Sequence, residues 1–145
     1  MNTTIIIVAV ALGALLFEKW YGVRGLLPIP LRNRTCQGRG WKRHFPHTPN
    51  REIREFLLFF VKSFAFSDNE KLKLSPNDKI LEIYKALYPS KWMPDALEFE
   101  TLAKDLRHNY SVELGNIWRD DLTLGELFTE CQKKATPNTP LVPSR

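Results

Sequence analysis

Trp92-Met93-Pro94-Asp95-Ala96-Leu97-Glu98-Phe99-Glu100-Thr101-Leu102-Ala103-Lys104-Asp105-Leu106 reads as a turn that opens an amphipathic helix. Pro94 suits the entry to a first helical turn, and Asp95 is placed to accept hydrogen bonds from its free N–H groups, with Glu98 three residues on. Phe99, Leu102, Ala103, Leu106 and Tyr110 recur at spacings of three and four, which puts them on one buried face. The spacing predicts a helix from Asp95 to about Asn109.

Helical spacing continues on both sides. Thr48-Pro49 marks a helix start, and Ile53, Phe56, Leu57, Phe60, Val61 and Phe64 follow as a broad apolar face. Ser67 to Leu74 reads as a polar loop. Ser75-Pro76-Asn77-Asp78 reads as a second start, with Ile80, Leu81, Tyr84 and Leu87 as its stripe and Tyr88-Pro89 as its stop. Val112 to Trp118 leaves room for one or two turns. Thr123-Leu124-Gly125-Glu126 is a capping box that opens a helix to about Lys133. Alternation of period two is absent. Residues 50–134 are therefore expected to be an all-α antiparallel bundle of four to five helices, followed by a proline-rich tail over 135–145.

The N-terminal third has a different composition. Ile5 to Phe17 is an uncharged apolar run, and Trp20-Tyr21 can extend it toward the roughly 20 residues of a spanning helix. A signal-peptide core and a buried helix are the rival readings. The first lacks an N-terminal basic residue and a clean small-residue cleavage site. A single transmembrane anchor over 1–21 is the favoured expectation. Positive charge lies only on its C-terminal side, so the expected location is the inner (cytoplasmic) membrane, single-pass, with the C-terminal domain in the cytoplasm.

Charge is divided along the chain. Eight basic residues and no acidic one lie between Lys19 and Arg51, whereas Ser67 to Glu130 has eight basic and thirteen acidic residues. Glycines and prolines interrupt 22–49, which is expected to be an irregular basic linker. Its Arg32, Arg34, Arg39, Lys42 and Arg43 are candidate membrane-surface contacts. Basic residues interleaved with Trp41 and Phe45 could equally touch nucleic acid. Lipid is ranked first, and nucleic acid is not expected as a partner, because a tethered chain meets the bilayer first. A solvated linker whose charges only set orientation is the bland alternative.

Cys36 and Cys131 are too few and too far apart for a secreted disulfide framework, which points to two free thiols. Cys36, His44 and His47 are one ligand short of a zinc set and match no common spacing, so no metal is expected. No Ser/His/Asp or Cys/His arrangement and no glycine-rich phosphate loop is present, and the chain is not expected to be an enzyme.

Asp95-Ala96-Leu97 resembles the Asp-Ser-Leu motif that opens the second helix of acyl carrier proteins. The order of the remaining helices and Leu122-Thr123-Leu124-Gly125-Glu126-Leu127-Phe128 are similar to that family as well, over about residues 50 to 134. The chain is most similar to small bacterial proteins of this kind with an extra helix before the motif. The resemblance implies a carrier-like bundle, but the serine that bears the phosphopantetheine arm is replaced by Ala96, which has no hydroxyl. No cofactor is then expected. The resemblance further implies that Asp95, Leu97, Glu98, Glu100 and Asp105 form an acidic face that docks a protein partner with a basic patch. The expected function is a membrane-anchored, non-enzymatic interaction module. The alternatives are a genuine carrier modified at another residue, and a membrane-surface structural protein working through its basic linker.

Overall fold

The structure, a computed structural model, describes residues 25–88 and 97–135. Seven α-helices lie in those residues: α1 (Ile29–Arg32), α2 (Gly38–His44), α3 (Asn50–Ser63), α4 (Ile80–Leu87), α5 (Leu97–Tyr110), α6 (Leu114–Ile117) and α7 (Leu124–Ala135), with a 3₁₀ segment at Asp68–Lys73. No strand occurs among the described residues. One isolated antiparallel bridge joins Lys79 to Thr123.

The core grows from α3. Its Ile53, Phe56, Leu57, Phe60 and Val61 are all buried, as the spacing predicts. α5 runs antiparallel to it: Phe59 meets Tyr110, Ser63 meets Asp105 and Phe64 meets Phe99, so rising numbers on one helix pair with falling numbers on the other. α7 closes the third side, where Phe128 packs on Phe56 with ring centroids 4.9 Å apart. Leu102 and Leu106 of α5 and Leu124 and Leu127 of α7 are fully buried. Both α3 and α5 stop at a left-handed residue, Ala65 (φ 56°) and Ser111 (φ 55°). The amides of Phe66 and Val112 then turn back to the carbonyls of Val61 and Leu106, so carbonyls at the helix ends keep a donor.

Helix starts show which local signals hold. Thr123 and Glu126 form the expected box: the Thr123 amide donates to Glu126 Oε2 (2.9 Å) and the Glu126 amide to Thr123 Oγ1 (3.2 Å). The expected start at Ser75 differs, because α4 begins only at Ile80. Asp78 does reach back to the Ser75 amide, at 2.7 Å, but it closes a turn. The Pro76 and Asp78 carbonyls accept from Gly125 and Leu124, at 2.8 and 2.9 Å, so they cap α7 instead of extending α4. Gly125 lies so close to this turn that a β-carbon would stand 3.0 Å from the Pro76 oxygen. That oxygen is held by the Gly125 amide and cannot withdraw freely. Gly125→Ala is expected to cost about 1–2 kcal/mol in urea unfolding, whereas the same change at open Gly115 stays near or above wild type.

The expectation for the N-terminal third requires two corrections. Residues 25–49 are not an irregular linker. They carry α1 and α2 and place Leu27, Leu31 and Trp41 in the core. The Trp41 indole N–H donates to the Leu74 carbonyl at 2.7 Å, and its ring packs on Phe45, Phe56 and Phe128. Backbone bonds from Ser67 to Gly25 and from Gln37 to Leu72 tie the segment to the chain around the 3₁₀ turn.

The second correction concerns the membrane. No helix among the described residues is long and apolar enough to cross one. The longest have 14 residues, which at about 1.5 Å per residue reach roughly 21 Å of a hydrocarbon core about 30 Å thick. The expected anchor over 1–21 lies outside the described residues. Among the described residues the fold is all-α without a transmembrane helix, which corrects the expected single-pass inner-membrane location. The tail over 136–145 also lies outside the described residues.

Candidate functional site

α5 brings together most of the residues that the sequence singled out, although not as one face. Asp95 and Ala96 lie outside the described residues. Leu97 is 56% exposed, unusual for a leucine at a helix start. Glu100 is exposed beside it. Glu98 turns aside and accepts a hydrogen bond from the Tyr88 hydroxyl, while its second oxygen is buried with no donor among the described residues. Asp105 faces α3 and accepts from the Ser63 hydroxyl at 3.0 Å. The expected acidic docking face is thus corrected: Glu98 and Asp105 are spent inside the fold, and Glu100 alone of the described acidic candidates is free to meet a partner.

An apolar groove takes the place of that face. Phe99, Glu100, Ala103, Leu114, Gly115 and Trp118 line a space of about 420 Å³ between α5 and α6. Its floor is rigid. Phe99 meets Trp118 edge-on at 4.9 Å and Tyr84 at 4.5 Å, and Phe64 backs it from α3 at 6.2 Å. Such rings contribute apolar area with little freedom to lose. The sequence marks Tyr84 only as part of a buried stripe and gives Gly115 and Trp118 no site role, because the short helix and C-cap that carry them share no common spacing with α5.

A second cavity of about 470 Å³ lies between the α6–α7 connection and α7. Arg119 in its wall is already neutralised: it bonds to Asp121 at 3.0 Å and to Glu126 at 2.6 Å. Those bonds hold the guanidinium above its ordinary range and Asp121 below its own. Glu126 is lowered first by the Thr123 amide and also by Arg119. Arg119 is thus shared between two carboxylates, and Glu130 and Lys133 of the same lining pair at 2.7 Å, so each cation of the cavity wall already has a carboxylate partner.

The candidate membrane-surface residues separate in the same way. Arg34 is locked to both oxygens of Asp78, at 2.7 and 2.8 Å, and the Arg32 guanidinium bonds to the Leu27 carbonyl at 3.1 Å. Arg39, Lys42 and Arg43 are exposed on α2. Cys36 is exposed ahead of α2, and the His44 ring tilts against Phe45. Among the described residues no group of three His, Cys, Asp or Glu side chains converges as metal ligands.

The two thiols differ sharply. Cys131 is buried in α7, and that burial pushes its thiol up to about 12, with Glu130 adding to the effect. Burial likewise raises the Tyr110 phenol to about 12. One equivalent of thiol is expected to react with a disulfide reagent at pH 8 in the native protein, and two in guanidinium. Because the fold favours the protonated form of both groups, their contribution to stability is whole below the unfolded values of about 8.5 and 10. It is lost as the pH rises from about 9 toward 12, which urea midpoints across that range will reveal. No family model, curated protein or solved structure matches the chain.

Proposed function

We propose that this domain is a non-enzymatic protein-interaction module, an acyl carrier protein-like bundle without the serine that would carry an arm. The order of elements supports the likeness: a long helix (α3), a long connection holding α4, then α5, short α6 and a final capped helix. The single observation that carries the interaction role is the apolar groove, with exposed Leu97 nearby and one free carboxylate, Glu100, in its wall. That pairing fits an apolar side chain of the partner followed by a basic one, which agrees with a partner that bears a basic patch. Burial of the apolar side chain supplies the affinity, and Glu100 selects the charge.

Two measurements test the reading. After co-expression with a promiscuous phosphopantetheinyl transferase, the intact mass is expected to stay unmodified; a gain of one phosphopantetheine would make the protein a working carrier and sink the proposal. A photo-crosslinker at residue 97 is expected to give one discrete product in cells. Ala103→Glu, which fills the groove, should abolish that product, and Glu100→Lys should weaken it about tenfold. Crosslinking unchanged by both substitutions would refute the groove as the docking site.

A further inference from the structure

α2 has one apolar anchor, Trp41, turned wholly into the core. Arg39, Lys42 and Arg43 on the same helix are exposed. Arg39 and Arg43 are one turn apart, with about 5–6 Å between β-carbons, and neither joins an ion pair among the described residues. The Lys42 amine donates to the Thr48 carbonyl at 2.8 Å, which holds it over the turn that follows the helix. The Gln132 amide bonds to the Thr48 hydroxyl at 3.0 Å and Phe128 packs on Phe45, so the last turn of α7 is drawn to the same turn; its Lys133 is paired with Glu130 at 2.7 Å, while Lys134 is exposed. No carboxylate occurs between Gly25 and Arg51 to offset the charge of α2 itself.

We propose that this face binds the sugar-phosphate backbone of nucleic acid, without reading its sequence. Guanidinium forks match phosphate oxygens in pairs, and two of them on adjacent turns of a rigid helix can hold successive phosphates. Among the described residues the large exposed hydrophobics are Leu26, Ile29 and Leu97, and none of them lies on α2, on the turn after it or on α7. An interfacial element inserts an apolar face, whereas α2 buries its own against the core.

The test uses the full chain and fluorescence anisotropy with a labelled 20-nucleotide single strand and a 20-base-pair duplex, at 50 to 200 mM NaCl. Binding to both is expected to weaken steeply with salt. Arg39→Gln, Lys42→Gln and Arg43→Gln combined should lower affinity at least tenfold at 50 mM, and should reduce the log–log salt slope by about 2–3, at roughly 0.7–0.9 per lost contact. Lys62→Gln, Lys85→Gln and Lys104→Gln combined remove the same charge from exposed positions elsewhere and should keep the slope. Circular dichroism of both triple variants checks folding. Three outcomes overturn the proposal: no binding at 50 mM, equal loss in the two variants, or an α2-dependent affinity for phosphatidylglycerol vesicles with none for nucleic acid. The surface shares no residue with the groove, so either proposal can fail alone.

Discussion

Trp41→Ala is expected to destabilise the domain by about 3–5 kcal/mol, the range for removing a large aromatic from a packed core. The indole is fully buried, contacts rings from α3 and α7, and satisfies the Leu74 carbonyl. Its loss leaves a cavity at the junction of three helices and a carbonyl without its donor, the second alone costing about 1–3 kcal/mol. Trp41→Phe separates the two effects, since it refills much of the space and still orphans the carbonyl. Arg39→Ala, on the exposed side of the same helix, should stay within about 0.5 kcal/mol. Urea unfolding of the three variants checks this. A loss below about 1 kcal/mol for Trp41→Ala would mean that residues 25–49 are an appendage after all.

Asp78→Ala is the second large effect, expected at about 2–3 kcal/mol. The carboxylate accepts from both Arg34 and the Ser75 amide, and the turn that it closes supplies two carbonyls to the first amides of α7. Removing it therefore loosens three segments distant in sequence. The cost falls below that of a fully buried pair because the Arg34 side chain is 35% exposed while Asp78 is 10% exposed. Arg34→Met should cost less, since Asp78 keeps the Ser75 amide. A double-mutant cycle is expected to give a coupling of about 1 kcal/mol or more. Glu55→Gln, which breaks the exposed pair with Arg51, should change stability by less than about 0.5 kcal/mol.

The helical class, the broad apolar face of α3, the stripe of α5 and the start of α7 were legible in the residues themselves. Each rests on interactions within one or two turns: apolar residues repeating at three and four, or a threonine and a glutamate exchanging bonds with each other's amides. The late start of α4 was not legible. Ser75 and Asp78 are a sound cap by local rules, and it is the distant amides of Leu124 and Gly125 that claim the carbonyls α4 would have needed.

The same division separates the sites. Glu98, Glu100 and Asp105 look alike as acidic residues on one helix, yet Tyr88 and Ser63 engage two of them and leave the third free. Composition marked residues 22–49 as a linker because glycines, prolines and cations dominate there. One tryptophan seated among three helices outweighs that average, since burying its large apolar surface contributes more than the breaks in regular structure cost. Local periodicity and capping belong to the sequence. Which charges remain available, where the groove opens and which segments join the core were decided by contacts between residues dozens of positions apart, and those exist only once the helices have packed.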